Sequence, residues 1–300
     1  MSSKIVVATP TGNIGGALVR HLLDAGEGLI LLARRPERLD AGVRERTEVR
    51  VGDLADADFV ARAVEGAESL FWLTPNDFAA QDVRAWYETM ARSARAAVER
   101  GGVRRVVNLS SAGAHRAQGL GPVSLLQLVE NALNDTGAAV THLRPGYFFE
   151  NYLAHVQSIA QANTIFDTAN NTASLPMVAT RDIAEVAAQR LRDRSWAGVS
   201  YRGIHGPKNL TFDEAADEIG AALGRPVRHV RISPEEAREV FLGMGASEAV
   251  VRAYQEMSDG FSNGLEPAEP RTPETTTPTT LRRWAAEVLQ PAVESAAEAL

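Results

Sequence analysis

The residues best placed to do chemistry begin with a turn. Gly12, Gly15 and Gly16 stand in KIVVATPTGNIGG, between an apolar β-branched run, Ile5 to Thr9, and an apolar-periodic segment carrying Ile14, Leu18, Val19, Leu22 and Leu23. Glycines let a backbone approach a bulky anion, and a helix N-terminus offers unpaired N–H groups with a partial positive charge, so strand, turn and helix in this order suit a dinucleotide's pyrophosphate. Thr9, Thr11, Gly12, Asn13, Ile14 and Gly15 would form the cradle. Arg34 and Arg35 follow the next apolar run, Leu29 to Ala33. A carboxylate there would hold the 2′-hydroxyl of NAD, whereas a guanidinium suits a 2′-phosphate, so the expected cofactor is NADP(H) in preference to NAD(H). The plainer alternative is two solvated arginines at a strand end.

Proton chemistry has fewer candidates. Ser110 and Ser111, in NLSSAGAH, could donate to a carbonyl oxygen or satisfy backbone groups at a strand end. His115 in the same stretch is placed to give a proton, with a solvated loop residue as the alternative. Tyr147 could line a substrate pocket or donate weakly; beside Phe148 and Phe149 it reads more simply as an aromatic of the core. Asp53 and Leu54 could meet an adenine amino group and ring, or Asp53 could cap the helix that follows. Leu73, Thr74 and Pro145 end further apolar runs and complete the expected cofactor contacts. Many ketone reductases use a tyrosine followed four residues later by a lysine that lowers its pKa. With tyrosine only at Tyr87, Tyr147, Tyr152, Tyr201 and Tyr254, and lysine only at Lys4 and Lys208, that pair is absent. The chain has no cysteine, no pair of histidines at helical ligand spacing and no nucleophile elbow, so neither a metal nor a covalent nucleophile is expected.

These groups need a scaffold, and its period is legible. Apolar runs at Ile5–Thr9, Leu29–Ala33, Thr47–Val51, Ser69–Leu73, Val106–Leu109 and Val140–Leu143 alternate with helical patterns such as Ala80–Arg100 and Ser124–Asn134. That alternation predicts an α/β, Rossmann-like doubly wound parallel sheet with every strand's carboxyl end on one rim. Beyond it the pattern predicts a helix over Tyr147–Ala160 and a loop over Asn163–Ser174 able to cover a ligand. Helices follow at Thr180–Arg192, 213–223, Pro234–Leu242 and Ser247–Met257, with strands at Tyr201–His205 and Arg228–Ile232. Glu266–Thr280 reads as a surface excursion and Leu281–Val288 as a closing helix. The expected division is an NAD(P)-binding part, 1–150, and a smaller, mostly helical substrate-side subdomain, 151–300, completing the same globule.

Composition bounds the partners. The 300 residues are 45% hydrophobic, enough for a sizeable core, and the net charge of −7 argues against a nucleic-acid surface. No apolar run approaches the ~18 residues a membrane helix needs. A soluble, cytoplasmic protein acting on a small molecule is expected, with neither membrane nor nucleic acid as partner; a homodimer stays open.

The chain also resembles a known family, the NmrA-like atypical short-chain dehydrogenases, which include type 2 NAD(P)H:quinone oxidoreductases and triphenylmethane dye reductases. Thr11-Gly12-Asn13-Ile14-Gly15, Arg34, Gly52-Asp53-Leu54 and Asn108-Leu109-Ser110-Ser111 carry the resemblance. So does the run from Glu130 to Leu143-Arg144-Pro145-Gly146-Tyr147-Phe148-Phe149-Glu150-Asn151, and it continues through Asp182-Ile183-Ala184 and Gly206-Pro207. The resemblance implies a Rossmann fold, NADP(H) on the first turn and Arg34, and a substrate between the sheet rim and the C-terminal region. Reduction of a quinone-like, conjugated or aromatic electrophile fits the missing Tyr/Lys pair, because such an acceptor needs chiefly proximity to a hydride donor. A non-catalytic dinucleotide-binding sensor is the alternative. The sequence departs from the family at Thr9, where glycine is usual, and at Pro10, where alanine is.

Overall fold

Strands that are apolar on both sides must be covered on both sides, and the chain does this by placing a helix in each crossover. The computed structural model describes residues 4–298. In chain order the first half contains β1 (Lys4–Ala8), α1 (Asn13–Asp24), β2 (Leu29–Ala33), α2 (Ala41–Arg46), β3 (Glu48–Val51), α3 (Ala57–Ala63), β4 (Ala67–Leu73), α4 (Val83–Glu99), β5 (Arg105–Leu109), α5 (Pro122–Asn134) and β6 (Ala139–Pro145). Then come β7 (Tyr147–Phe148), a 3₁₀ segment (Phe149–His155), α6 (Val156–Ala162), β8 (Thr164–Asp167), β9 (Ser174–Val178), α7 (Thr180–Arg192), β10 (Val199–Ile204) and β11 (Asn209–Thr211). The chain closes with α8 (Phe212–Leu223), β12 (Arg228–Arg231), α9 (Pro234–Gly243), α10 (Glu248–Phe261), α11 (Leu281–Trp284), a π turn (Ala285–Leu289) and α12 (Gln290–Glu298).

The central sheet has seven strands in the order β3-β2-β1-β4-β5-β6-β10. All its pairings are parallel. Alternation divides its side chains between two cores. Ile5, Val7, Leu29, Leu31 and Phe71 meet α1 and α7 on one face. Val6, Ala8, Ile30, Leu32, Leu70 and Trp72 meet α3, α4 and α5 on the other. The strand order reverses between β1 and β4, which opens a crevice at their carboxyl ends.

Residues beyond 150 contribute β10 and α7 to this layer, and with Ala112, Leu120 and Phe149 they build a third core around Tyr152, Phe212 and Trp284. Three expectations need correction there. Tyr147–Ala160 is not one helix: Tyr147 and Phe148 pair with Met177 and Val178 of β9, which holds the chain extended before the 3₁₀ segment begins. Asn163–Ser174 is not a free loop. Asn163 is the left-handed C-cap of α6, and Thr164–Asp167 then pairs with β12, burying Ile165. Its Asn and Thr content hid a strand because those side chains serve local turns, such as Asn170 accepting from the Thr172 N–H at 3.3 Å. Glu266–Thr280 is no surface excursion but a strap. Thr277 and Thr279 are buried, Thr276 bridges to His205, and Glu269 pairs with Arg144 at 2.8 Å.

A buried polar chain runs along β6. The Asn108 amide donates to His142 Nδ1 at 2.9 Å, His142 Nε2–H donates to Asn134 Oδ1 at 2.8 Å, and the Asn134 amide donates to the Tyr201 hydroxyl at 3.0 Å. These roles require a neutral imidazole. Burial pushes the His142 pKa down to about 4, against an opposing pull from the Glu130 carboxylate. Unfolded histidine titrates near 6.5, so protons favour the unfolded chain below that pH. Stability should be full above pH ~6.5 and fall by about 3 kcal/mol as pH drops to ~4, with His205 and His229, also lowered by burial, steepening the same window. Urea unfolding midpoints between pH 4 and 7.5 should trace this decline, and His142→Gln should visibly flatten it; an unchanged slope would refute the assignment.

Candidate functional site

At the end of β1 the backbone turns left-handed. Thr9 has φ +58°, and its hydroxyl donates to the Ala8 carbonyl at 2.6 Å. The family's glycine at this position therefore has a conformational reason: the turn demands a φ that side chains resist, β-branched ones most. α1 then starts from Gly12, which is extended and offers no side-chain cap. Thr11, Gly12 and Asn13 are exposed, so the first N–H groups of α1 face an open turn. The two glycines flanking Asn13 and Ile14 differ in purpose. A Cβ on Gly15 would collide with the Thr9 carbonyl, whereas on Gly12 it would meet nothing nearer than 3.8 Å. Gly15 seats the helix on the turn; Gly12 leaves room for a ligand. Ile14 is buried in the core.

Beyond β2, Arg34 is exposed, and its guanidinium lies 3.7 Å from the Asp53 carboxylate beyond β3. Asp53 does not cap α3. That role belongs to Asp56, which accepts from the Asp58 and Phe59 N–H groups, while Asp53 accepts only from the nearby Ala55 N–H at 2.9 Å. The structure thus brings Arg34 and Asp53 together at the rim, with Leu54 buried beneath them. Beyond β4, Leu73 is half-buried, and the Thr74 hydroxyl accepts from Trp72 Nε1 at 3.1 Å, so it is already engaged.

Leu73, Leu109 and Leu143 stand side by side in register, so the residues after them share one edge. Ser110 sits there with its N–H on the Leu143 carbonyl at 2.8 Å. Its hydroxyl is buried, the residue being 5% exposed, and has no partner. The hydroxyl satisfies no backbone group at the strand end, so the plainer reading does not describe it. Ser111 is half-buried beside it. His115 is drawn back into its own loop, with Nδ1 3.0 Å from the Ala112 carbonyl. Pro145 is buried, and its carbonyl accepts from Ala112 at 2.9 Å, tying the loop after β5 to β6. Tyr147 packs edge-on to Tyr152 and Phe212, with ring centroids 5.8 and 5.5 Å away. Burial, and then the Asp167 carboxylate, raises its phenol well above the usual tyrosine range, so it stays protonated.

Tyr254 on α10 was not singled out from the sequence. Its hydroxyl accepts from the Asn76 amide at 3.2 Å, and Asn76 lies just past β4. Nothing local in the sequence connects residues 178 positions apart. α10 is fastened over the rim: Ser247 N–H donates to the Phe78 carbonyl at 2.8 Å, and Glu256 accepts from Gly119 N–H at 2.9 Å. Among the described residues, no cluster of three or more His, Asp and Glu side chains is arranged to hold a metal, and no helix is long and apolar enough to cross a membrane.

A model of the NmrA-like family matches residues 1–285. The NAD(P)H azoreductase of Xenophilus azovorans is 29% identical over 256 residues, which span 84% of this chain and 85% of that one. The (4-alkanoyl-5-oxo-2,5-dihydrofuran-3-yl)methyl phosphate reductase of Streptomyces griseus is 29% identical over 270 residues, 88% of this chain and 90% of that one. The crystal structure of Citrobacter sp. triphenylmethane reductase complexed with NADP(H) superposes with a TM-score of 0.73 at 20% identity, covering 98% of this chain and 99% of that one. At that identity the likeness is one of fold.

Left-handed backbone costs a side-chain-bearing residue about 1–2 kcal/mol, part of which glycine's greater unfolded-state freedom would offset. Thr9→Gly should therefore raise the unfolding free energy by about 0.5–1 kcal/mol, and Thr9→Val, which lacks the hydroxyl bonded to Ala8, should lower it. Denaturant titration of the two variants checks this, and a loss of stability in Thr9→Gly would count against an imposed left-handed turn.

Proposed function

Because the chain belongs to the NmrA-like family, we propose that it is an NAD(P)H-dependent reductase of a small, conjugated or aromatic electrophile, working in the cytoplasm and without a Tyr/Lys acid pair. The observation that carries this reading is the first turn: an exposed, uncapped helix N-terminus with open space at Gly12, at the place where the strand order reverses. The chain's residues fit a dinucleotide there. The N–H groups at the start of α1 would receive the pyrophosphate, Arg34 the 2′-phosphate, and the unpartnered Ser110 hydroxyl a group at the nicotinamide end or on the acceptor. When bound, the cofactor supplies a hydride. The protein's task is to hold the acceptor within reach of it and keep water away. Residues 151–300 would supply the wall facing the rim, through α10.

The names of the azoreductase and the furanone phosphate reductase support an oxidoreductase, and the missing lysine supports an acceptor that is already electrophilic. NADPH should bind at least ~10-fold more tightly than NADH, a difference of ~1.4 kcal/mol. Arg34→Ala should abolish that preference while leaving NADH affinity little changed, because the Asp53 neighbour at 3.7 Å is too exposed to hold the arginine away from a phosphate. Fluorescence titration of the purified protein with both nucleotides measures it. Binding without turnover over a broad panel of acceptors would instead support a sensor, and absence of binding would remove the reading.

A further inference from the structure

We propose that the Asp167 carboxylate anchors a positively charged group of the acceptor, in a recess walled by Tyr147, Phe212 and His229. The inference rests on the reductase reading above and narrows the class of acceptor it would serve.

The recess is marked by polar side chains that face one another without bonding. Tyr147 and His155 are desolvated by the surrounding protein, yet each keeps partial exposure, as side chains lining a concavity do. The charge of Asp167, itself half-buried, reaches Tyr147, His155 and His229 alike. None of the three donates to it. Asp167 Oδ1 accepts from the Ala169 N–H at 2.9 Å, and among the described residues Oδ2 has no partner. His229 is the sharper anomaly. It is 6% exposed and lies against the Phe212 ring with centroids 5.2 Å apart, yet neither Nδ1 nor Nε2 has a partner. A neutral imidazole carries one donor and one acceptor, and burying both unmet is costly unless a ligand meets them.

The place is right for an acceptor. Tyr147 stands two residues past the end of β6 and packs edge-on to Phe212. The loop after β8 is tied to α10 by the Thr168 and Ser258 hydroxyls at 2.7 Å, and the Asn170 amide donates to the Ser262 carbonyl at 3.2 Å. Asp167 therefore lies where residues 151–300 meet the sheet rim.

Its field is negative. Asp213, held by the Asn171 amide at 2.7 Å, also faces His229, and burial lowers both imidazoles, which stay neutral at working pH. Arg231, the register partner of Asp167, is exposed and donates to the Thr168 carbonyl at 3.1 Å, so among the described residues no cation pairs with the carboxylate. A half-dry, unpaired carboxylate beside aromatic rings draws a flat organic cation.

Such an acceptor also suits a site without a Tyr/Lys pair. The hydride, given by the reduced nicotinamide as it is oxidised, forms the new bond at the electron-poor end of the conjugated cation. The π pair moves to the charged nitrogen at the other end, and the positive charge disappears. No proton is consumed. The neutral product then loses its attraction to Asp167 as it forms.

The test uses thionine, a planar cation, resorufin, an anion of the same three-ring shape, and menadione, a neutral quinone. Fluorescence anisotropy on nucleotide-free wild type should show thionine binding at least about tenfold more tightly than resorufin. Asp167→Asn, which can still accept from Ala169, should weaken thionine about tenfold and lower the ratio of kcat/KM on thionine to that on menadione by a similar factor, with enzyme-free rates subtracted. Equal affinity for the two dyes, unchanged thionine affinity in Asp167→Asn, or equal losses on both acceptors would overturn the role of Asp167. An NADPH titration of the wild type separates the two readings. If NADPH binds and menadione is reduced while thionine shows no dependence on Asp167, the reductase reading stands alone; if NADPH does not bind, that reading falls, whatever the dyes show.

Discussion

The constraint everything else follows from is that the central strands are apolar on both faces. Val6, Val7, Ile30, Leu31, Leu70 and Phe71 are essentially without solvent exposure, and side chains of this kind cannot alternate with water on one side. Helices must therefore cover both faces. Covering both requires crossovers, and right-handed crossovers put every carboxyl end on the same edge. Gly12, Arg34, Asp53, Thr74, Ser110 and Pro145 are scattered through the sequence, yet each lies just past, or at, the end of a strand, so the sheet collects them without any direct interaction among most of them. Only at the end of β1 does the rim use backbone strain, at Thr9, where the chain must turn sharply to start α1 within a few residues.

The second half is joined to this frame by the pairing of β10 with β6 and the apolar face of α7, and buried polar contacts fix the junction. Arg144, at the end of β6, is clamped between Glu130 of α5 at 2.6 Å and Glu269 of the strap at 2.8 Å, and its guanidinium lies 4.2 Å from the centre of the Tyr201 ring. Glu150 accepts from Thr180 at the start of α7 and from Trp284 of α11, at 2.9 and 3.0 Å. Asp182 accepts two bonds from Thr279 of the strap. Burying such charges is expensive and seldom stabilising against an apolar replacement; their use is to permit one arrangement and penalise others. The Arg-Pro-Gly…Glu-Asn run supplies two of these charges, Arg144 and Glu150. Its charged members set the junction of the two halves, and they touch no proposed ligand group.

The sheet and its helices were legible because their signal is local and repeated: the apolar runs of the sequence coincide with the first six strands to within a few residues at each end. The place of Arg34 on the rim was legible as well, since it depends only on following β2. What escaped depended on distance. The strand Thr164–Asp167 exists because Arg228–Arg231 pairs with it, and an isolated four-residue segment bordered by Asn and Thr has no periodicity to announce that partner. The strap is held by His205 and Arg144, so a stretch of Pro, Glu and Thr looked solvated. Asp53 was ambiguous for a different reason: Asp53 and Asp56 can each cap the same helix, and only the register of the first turn decides. The contact of Tyr254 with Asn76 escaped through distance as well, since the two lie 178 positions apart.

The position of α10 shows why specificity at this rim would reside in side chains and not in the width of the cleft. A Cβ on Gly121 would strike the Ala253 carbonyl, and one on Gly260 would strike the Gly119 carbonyl, so at these points α10 touches the loop after β5 backbone to backbone. Contacts of that kind have no side chain to yield. They fix the distance between helix and loop as firmly as a strand pairing would, and any other residue at either glycine would force the two apart. With the span set, the groups projecting into it decide what fits. Phe78 stacks on Tyr254 with ring centroids 5.7 Å apart and Phe241 lies against the same ring at 5.2 Å, so the protein's own aromatics fill much of that span.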